Sequence, residues 1–269
     1  ILYGDTPFVS SKTLSELKNK ITSAAIVAFH CYTDNKYGRL VTYEDDLLEI
    51  VEFNDATPED KLVTLCNSGI YSIKNEHLHK FIPLIKNSNS KKEFYLTDIV
   101  KLISQKDITC SIIEINEKEV MGFNTREELS KAQNIMQDNI KSCLMKQGIS
   151  IINPKSSYIA YDFQAGKDVT IYPNVFIGRY VSVGDNVHIR SFSHMEGVKI
   201  GHNSSIGPFA RIRPKTEIAS DVRIGNFVEI KNKKIKNNSK MSHLSYIGDS
   251  EIGTNCNIGA GTITCNFDG

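Results

Sequence analysis

The chain has 269 residues, of which 40% are hydrophobic and 23% charged, and 32 Lys+Arg against 31 Asp+Glu leave a net charge of +1. This globular composition supplies a sizeable core and excludes a disordered tail. It offers no basic field for nucleic acid or an anionic membrane surface. The longest apolar run, 24–29, falls far short of the roughly 20 residues of a membrane span, so no membrane insertion is expected. No basic-then-apolar secretory signal opens the chain. Six cysteines (Cys31, Cys66, Cys110, Cys143, Cys256, Cys265) are scattered without CxxC or zinc spacing. Reduced thiols and a cytoplasmic location follow. The sequence opens on Ile1-Leu2-Tyr3 without Met and stops on the turn-like Asn266-Phe267-Asp268-Gly269, so a piece of a longer protein is expected.

The first half alternates as an α/β domain does. Strand-like runs fall at 23–29, 62–73 and 108–115, the second interrupted by Asn67-Ser68-Gly69. Leu78, Phe81, Ile82 and Ile85 share a helical face, and 97–103 reads as another helix. The alternation predicts a mostly parallel sheet with ligands at the carboxyl ends of its strands. Next, Thr125-x-x-Glu128 is a capping box, followed by Leu129, Ala132, Met136, Ile140 and Leu144 at helical steps, and Gly148 ends the helix. Its polar remainder, Gln133, Gln137, Asp138 and Lys141, fits an exposed bridging helix, and an ordinary packed helix fits equally.

The second half repeats every six residues. Ile171, Ile177, Val183 and Ile189 share one phase, and Ile200, Ile206, Ile212, Ile218, Ile224 and Ile230 share another. Glycine follows the aliphatic residue at positions such as Gly178, Gly184, Gly201 and Gly225. Such hexads mark a β-helix whose aliphatic residues point inward, with the small residue expected to let the chain turn each corner. After Ile230 the steps become irregular, near the Lys-rich stretch 231–240. The predicted organisation is an α/β domain over 1–126, a linker helix over 127–147 and a β-helix over 148–269.

Four motifs in the second half carry a family resemblance: Gly207-Pro-Phe-Ala-Arg-Ile-Arg-Pro214, Gly225-Asn-Phe-Val-Glu-Ile-Lys231, Ser242-His-Leu-Ser-Tyr246 and Asn257-Ile-Gly-Ala-Gly-Thr-Ile-Thr-Cys-Asn266. In the first half Leu2-Tyr-Gly-Asp5, Tyr37-Gly-Arg39, Asn67-Ser-Gly69, Tyr95-Leu-Thr-Asp98 and Gly122-Phe-Asn124 follow in the same order. Together they resemble the bacterial bifunctional N-acetylglucosamine-1-phosphate uridylyltransferases/glucosamine-1-phosphate acetyltransferases. The resemblance implies a Rossmann-like nucleotidyltransferase domain followed by a left-handed parallel β-helix. It also implies a homotrimer with the acetyl-CoA site between subunits. The resemblance leads one to expect the family's Gly-rich phosphate loop before Ile1 and its later β-helix coils after Gly269 in the longer protein.

The resemblance assigns two chemistries. In the first, a uridylyl group passes from UTP to N-acetylglucosamine-1-phosphate. Two polyanions must meet, so Mg²⁺ is expected, held by one carboxylate and one amide oxygen, Asp5 and Asn124. Tyr3, Gly4, Gly38, Glu52 and Asn67 match the sugar-nucleotide contacts. In the second, acetyl-CoA acetylates glucosamine-1-phosphate, and His243 matches the base that takes the amine's proton. Glu229 is a candidate to orient its imidazole. Arg213, Lys231, Tyr246 and Asn257 match sugar-phosphate contacts; Ala260, Asn266 and Phe267 match acetyl-CoA contacts. Cys265 is expected to be a packing residue. Without the family context, Asp5 is a turn residue, Glu52 an edge-strand carboxylate and Lys231 the start of a solvated lysine run. Two alternatives stay open: a sugar-1-phosphate nucleotidyltransferase whose β-helix only regulates or assembles, and a non-catalytic β-helix scaffold.

Overall fold

The structure, a computed structural model, describes residues 1–20, 23–33, 35–44, 46–232 and 234–265. It forms two compact units, Ile1–Leu129 and Ser130–Gly269.

In the first unit, helix α1 (Ser11–Lys20) precedes the buried strand β1 (Ala24–His30). Strands β2 (Arg39–Tyr43) and β3 (Asp46–Val51) follow, then β4 (Leu65–Ile73), the helices α2 (Asn75–Phe81) and α3 (Asp98–Ser104), and β5 (Cys110–Glu114). The five-stranded sheet runs β3-β2-β4-β1-β5. Only β1 and β5 pair in parallel; β1–β4, β2–β3 and β2–β4 are antiparallel. The expected α/β class holds, and the expected mostly parallel sheet is corrected. One reason is that only two residues separate Tyr43 from Asp46, too few for a crossover, so β2 and β3 pair antiparallel. Ala24, Ile26, Leu40, Phe81, Ile99 and Ile103 pack one face, while Val27, Phe29, Ile70 and Ile113 pack the other.

Helix α4 (Arg126–Lys146) begins with the expected box. Thr125 Oγ1 accepts from the Glu128 amide at 3.1 Å, and Glu128 Oε2 accepts from the Thr125 amide at 3.0 Å. It ends in a Schellman motif at Gly148 (φ 92°), where the Ile149 amide donates to Leu144 O and the Gly148 amide to Met145 O. Of the two readings left open, the packed one holds for the C-terminal half of the helix. Leu144 and Ile140 join the solenoid core, and Gln137 and Lys141 are buried.

The second unit is a parallel solenoid. Its inward residues stack coil on coil in three columns, for example Ile159, Ile177, Met195, Ile212, Ile230 and Ile247. The apparent irregularity is a shortened side. From Met195 to Ile200, Ile230 to Ile235 and Ile247 to Ile252 a side spans five residues instead of six, and the columns stay in register. Ring stacks outside report the same rise: Phe192 to Phe209 is 4.8 Å and Tyr158 to Phe176 is 4.9 Å, the spacing of paired strands.

The glycines that directly follow the inward aliphatic do not mark the corners. On six-residue sides the positive-φ residues stand three places after the inward aliphatic, at Asn174, Tyr180, Asn186, Phe192 and Asn203, and on the five-residue sides two places after it, at Gly197, Asn232 and Asp249. What the position after the aliphatic requires is room. A Cβ on Gly225 would lie 1.9 Å from Ser242 O, and one on Gly201 would lie 2.6 Å from the Ala219 carbonyl carbon. The next coil approaches too closely for a side chain.

The first coil leaves one strand edge open at Ile159, because Tyr158–Ile159 is the terminal strand of its sheet. Gln137 closes it. Its Nε2 donates to Ile159 O at 2.8 Å, and its Oε1 accepts from the Ile159 amide at 3.0 Å. The side chain thus pairs with a buried peptide as another strand would. Gln137→Leu strips both partners from that peptide and is expected to cost about 2 kcal/mol, read as a lower urea midpoint for the solenoid. Gln137→Glu retains an acceptor but no donor for Ile159 O, and should also destabilise.

Candidate functional site

The first unit carries a cavity of about 300 Å³ lined by Tyr3, Asp5, Gly38, Glu52, Asn67 and Asn124, six of the seven residues expected to contact a sugar nucleotide. Gly4, the seventh, lies between Tyr3 and Asp5 in the chain and does not line it. A β-bulge shapes one wall. Ile26 of β1 faces Tyr71 and Ala28 faces Asn67, so three residues of β4, 68–70, stand opposite Val27 alone. Ser68 Oγ donates to the Val27 carbonyl at 2.6 Å, and Gly69 adopts φ 77°. A side chain on Gly69 would collide with the Tyr3 ring, which lies 2.0 Å from the position of a Cβ.

The bulge brings Asn67 and Tyr71 together. Asn67 Nδ2 donates to the buried Tyr71 hydroxyl at 2.7 Å, and its Oδ1 accepts from the Gly69 amide at 3.0 Å. The amide is therefore fixed in orientation, with its remaining donor and acceptor capacity free for a ligand. Glu52 is held similarly: the buried Thr97 hydroxyl donates to its Oε1 at 3.0 Å. Burial pushes the Tyr3 phenol pKa up, and the carboxylates of Glu52 and Asp5 push it further. Tyr71 and Thr97 were not read from the sequence as site residues. Thr97 lies in the motif Tyr95-Leu-Thr-Asp98, but its partner stands 45 residues away. Lys36 also lines the cavity and adds its one flexible cation.

Asp5 and Asn124 flank the cavity where the Phe123 amide donates to Asp5 O at 3.3 Å. A Cβ on Gly122 would lie 3.7 Å from Asp5 Oδ2, so the carboxylate sits beside the segment that carries Asn124. Among the described residues no three His, Cys, Asp or Glu side chains converge as a closed metal site. One carboxylate and one amide oxygen on an open wall suit a cation that keeps most of its waters, as Mg²⁺ does.

The second cluster lies on the outer surface of the solenoid. In the paired strands Arg223–Lys231 and Lys240–Gly248, Asn226 stands beside His243 and Glu229 beside Tyr246. His243 Nδ1 and Asn226 Oδ1 are 2.9 Å apart. The Gly261 amide donates to Leu244 O, which sets Ala260 on the coil following His243. Glu229 does not orient the imidazole as expected. Its Oε1 accepts from Arg213 at 3.1 Å, because it lies three residues beyond the register of His243. Arg213 and Lys231 occupy neighbouring coils, joined by the Arg213 amide donating to Ile230 O. Lys231 is 3.8 Å from Asp249. Tyr246 folds its ring over Gly248, where a Cβ would fall 2.6 Å from the hydroxyl.

Three expectations fare differently. Asn257 pairs in register with Lys240 and lines a separate cleft with Asp221 and Asn238, so within one chain it does not join Tyr246. Asn266 and Phe267 lie outside the described residues. Cys265 is exposed, not packed.

Residues 197–232 match the family described as "Bacterial transferase hexapeptide (six repeats)". The "Bifunctional protein GlmU" of Zymomonas mobilis subsp. mobilis is 42% identical over 275 residues, covering 100% of this chain and 61% of that protein. The "Bifunctional protein GlmU" of Roseobacter denitrificans is 41% identical over 271 residues, covering 100% of this chain and 60% of its own length. Among solved structures, PerB from Caulobacter crescentus in complex with CoA and GDP-perosamine aligns with a TM-score of 0.32 at 9% identity, over 62% of this chain and 88% of its own. WeeI from Acinetobacter baumannii AYE aligns with a TM-score of 0.33 at 14% identity, over 49% of this chain and 63% of its own. The chain spans about three fifths of the length of the curated relatives it matches. From end to end it is a GlmU homologue, a partial GlmU-like protein of mixed α/β and hexapeptide-solenoid architecture.

Proposed function

We propose that the chain carries residues of two active sites that together make UDP-N-acetylglucosamine in the cytoplasm. In the first reaction acetyl-CoA acetylates glucosamine-1-phosphate; in the second UTP uridylylates the resulting N-acetylglucosamine-1-phosphate. The observation that carries this reading is the His243–Asn226 pair on the outer surface of the solenoid, on the same pair of strands that carries Lys231.

The chemistry follows from the geometry. Asn226 Oδ1 accepts from the Nδ1–H of His243, which leaves Nε2 with its lone pair outward. That nitrogen takes a proton from the sugar amine as the amine attacks the thioester carbonyl, and returns it to the departing thiolate. Arg213, already pinned by Glu229, and Lys231 hold the sugar phosphate, for which a fork and a point charge are complementary. Ala260, on the coil following His243, is the candidate neighbour of the acetyl group. In the first unit Glu52 and Asn67, each fixed by a buried hydroxyl, orient the sugar hydroxyls and acetamido group. Asp5 and Asn124 would hold Mg²⁺, which spreads the charge of the reacting phosphate when bound. A homotrimer of parallel solenoids accounts for Asn257, which would then serve a neighbouring subunit's site. Light scattering on the completed enzyme should report three chains.

The decisive assay uses the chain completed with the flanking segments of the Zymomonas mobilis relative. His243→Ala should lower acetyl transfer, followed as thiol release, by about 10²–10⁴-fold and leave uridylyl transfer near normal. Asp5→Ala should show the reverse in pyrophosphate release. Acetyl transfer surviving in His243→Ala would refute the role of that base and leave the regulatory-solenoid reading. Asn226→Ala should cost acetyl transfer about tenfold, the lower end of what a general base supplies. The 269 residues alone should give no UTP-dependent pyrophosphate release, since the family's phosphate-cradling loop is expected outside them and positioning dominates this chemistry.

A further inference from the structure

One cavity outside both clusters has no part in this scheme. It has a volume of about 480 Å³ and lies where α4 packs against the first coil. Its walls carry Lys141, Lys155 and Asp138 together with the uncharged donors Gln133, Asn134 and Tyr158. Other polar lining groups are already committed. Gln137 holds Ile159, the Ser156 hydroxyl bridges Asn153 and Asn174, and the Ser157 hydroxyl bridges Tyr172 and Val175.

Lys141 is the unusual member. It is only 4% exposed, yet among the described residues it makes no hydrogen bond or ion pair. Burial pushes its pKa down, opposed by the Asp138 carboxylate, which does not come within ion-pairing distance. Its aliphatic stem is buried, while Nζ keeps its contact with solvent at the cavity wall. An ammonium held this way at a cavity wall is ready for an anion. With Lys155 across the same space, the lining carries two positive charges against one negative.

We propose that this cavity binds a small phosphorylated polyol, its phosphate between Lys141 and Lys155 and its hydroxyls on Gln133, Asn134 and Tyr158. Two ammonium groups supply compact point charges of the kind that bind a phosphate. The volume lies in the range of small-ligand sites, and a bare phosphate would fill only a fraction of it. Tyr158 is five coils before Tyr246 in the stacked register, roughly 24 Å along the axis at about 4.8 Å per coil. The cavity is therefore separate from the His243 cluster and does not depend on the function proposed for it.

The test follows the side-chain amides of Gln133 and Asn134 by ¹⁵N NMR in the 269-residue chain as glucose-6-phosphate or inorganic phosphate is added. Glucose-6-phosphate should shift both amides saturably and bind about tenfold or more tightly than inorganic phosphate. Lys141→Met, which keeps the side chain's reach in an apolar form, should weaken this binding roughly tenfold. Lys155→Gln changes an exposed side chain, leaves the core untouched and should weaken it similarly. Lys231→Ala should leave these shifts unchanged. Absence of a saturable shift at millimolar concentrations overturns the site, as do shifts that persist in both lysine variants or disappear in Lys231→Ala. Equal affinity for inorganic phosphate overturns the polyol.

Discussion

Each solenoid coil must find its backbone partners on the coils directly before and after it, and the rest of the second unit depends on that constraint. It sets the close approach that excludes a side chain at Gly201 and Gly225, and it aligns the inward aliphatics into columns. The constraint fails wherever a coil has no predecessor. At the first coil the deficit is met by one glutamine, whose amide has the donor and acceptor of a peptide at the right separation. The N-terminal stop of the solenoid is thus built from a helix side chain, with Ile140 and Leu144 covering the apolar end beneath it. This division of labour, polar closure beside apolar cover, is what terminal units of repeat proteins require.

The same coil register that builds the core also sets out side chains on the surface at fixed spacing. Asn226, His243 and Ala260 occupy successive coils, and so do Arg213 and Lys231. Residues 17 places apart become neighbours without any special loop. The first unit reaches a comparable result by a different route. There the sheet is interrupted, and the bulge at 68–70 turns Asn67 toward the cavity while Tyr71 fixes its amide from behind. In both units a polar partner drawn from a neighbouring strand position determines how the exposed group points.

The solenoid was readable because its period survives in the sequence as Ile and Val every six residues, and the capping box and Gly148 marked α4 just as directly. The five-residue sides were not readable, since a shortened side and a lost repeat give the same gap between Ile189 and Ile200 unless Met195 is recognised as inward. The sheet direction was missed because β2 and β3 have no clean alternation: Leu47 and Ile50 are buried while Leu48 is exposed. Asp5, Glu52, Asn67 and Asn124 were legible as a group by family resemblance, and they line one cavity. Thr97, Tyr71 and Asn226 were not, because a supporting contact is a fact of register. Glu229 shows the same limit from the other side: nearness to Lys231 in sequence suggested the imidazole, and the register gave it to Arg213. The buried Lys141 looked like any polar residue of an exposed helix face.

The two units also differ in what the chain must do to form them. Partners on adjacent coils are separated by 20 residues at the first step and by 17 or 18 after it, so every step of the solenoid closes a loop of similar modest size. Loop closure of that length is inexpensive, and once two coils exist each further coil adds to a ready template. The α/β unit has no such increments. Its strand β1 pairs with the edge strand β5, and side chains meeting just beyond them, such as Cys31 and Glu117, are 86 residues apart. The sheet cannot be completed until most of the unit has been gathered, which is the high-contact-order regime of slow folding. The solenoid is accordingly the part that zips, and the α/β unit is the part that waits.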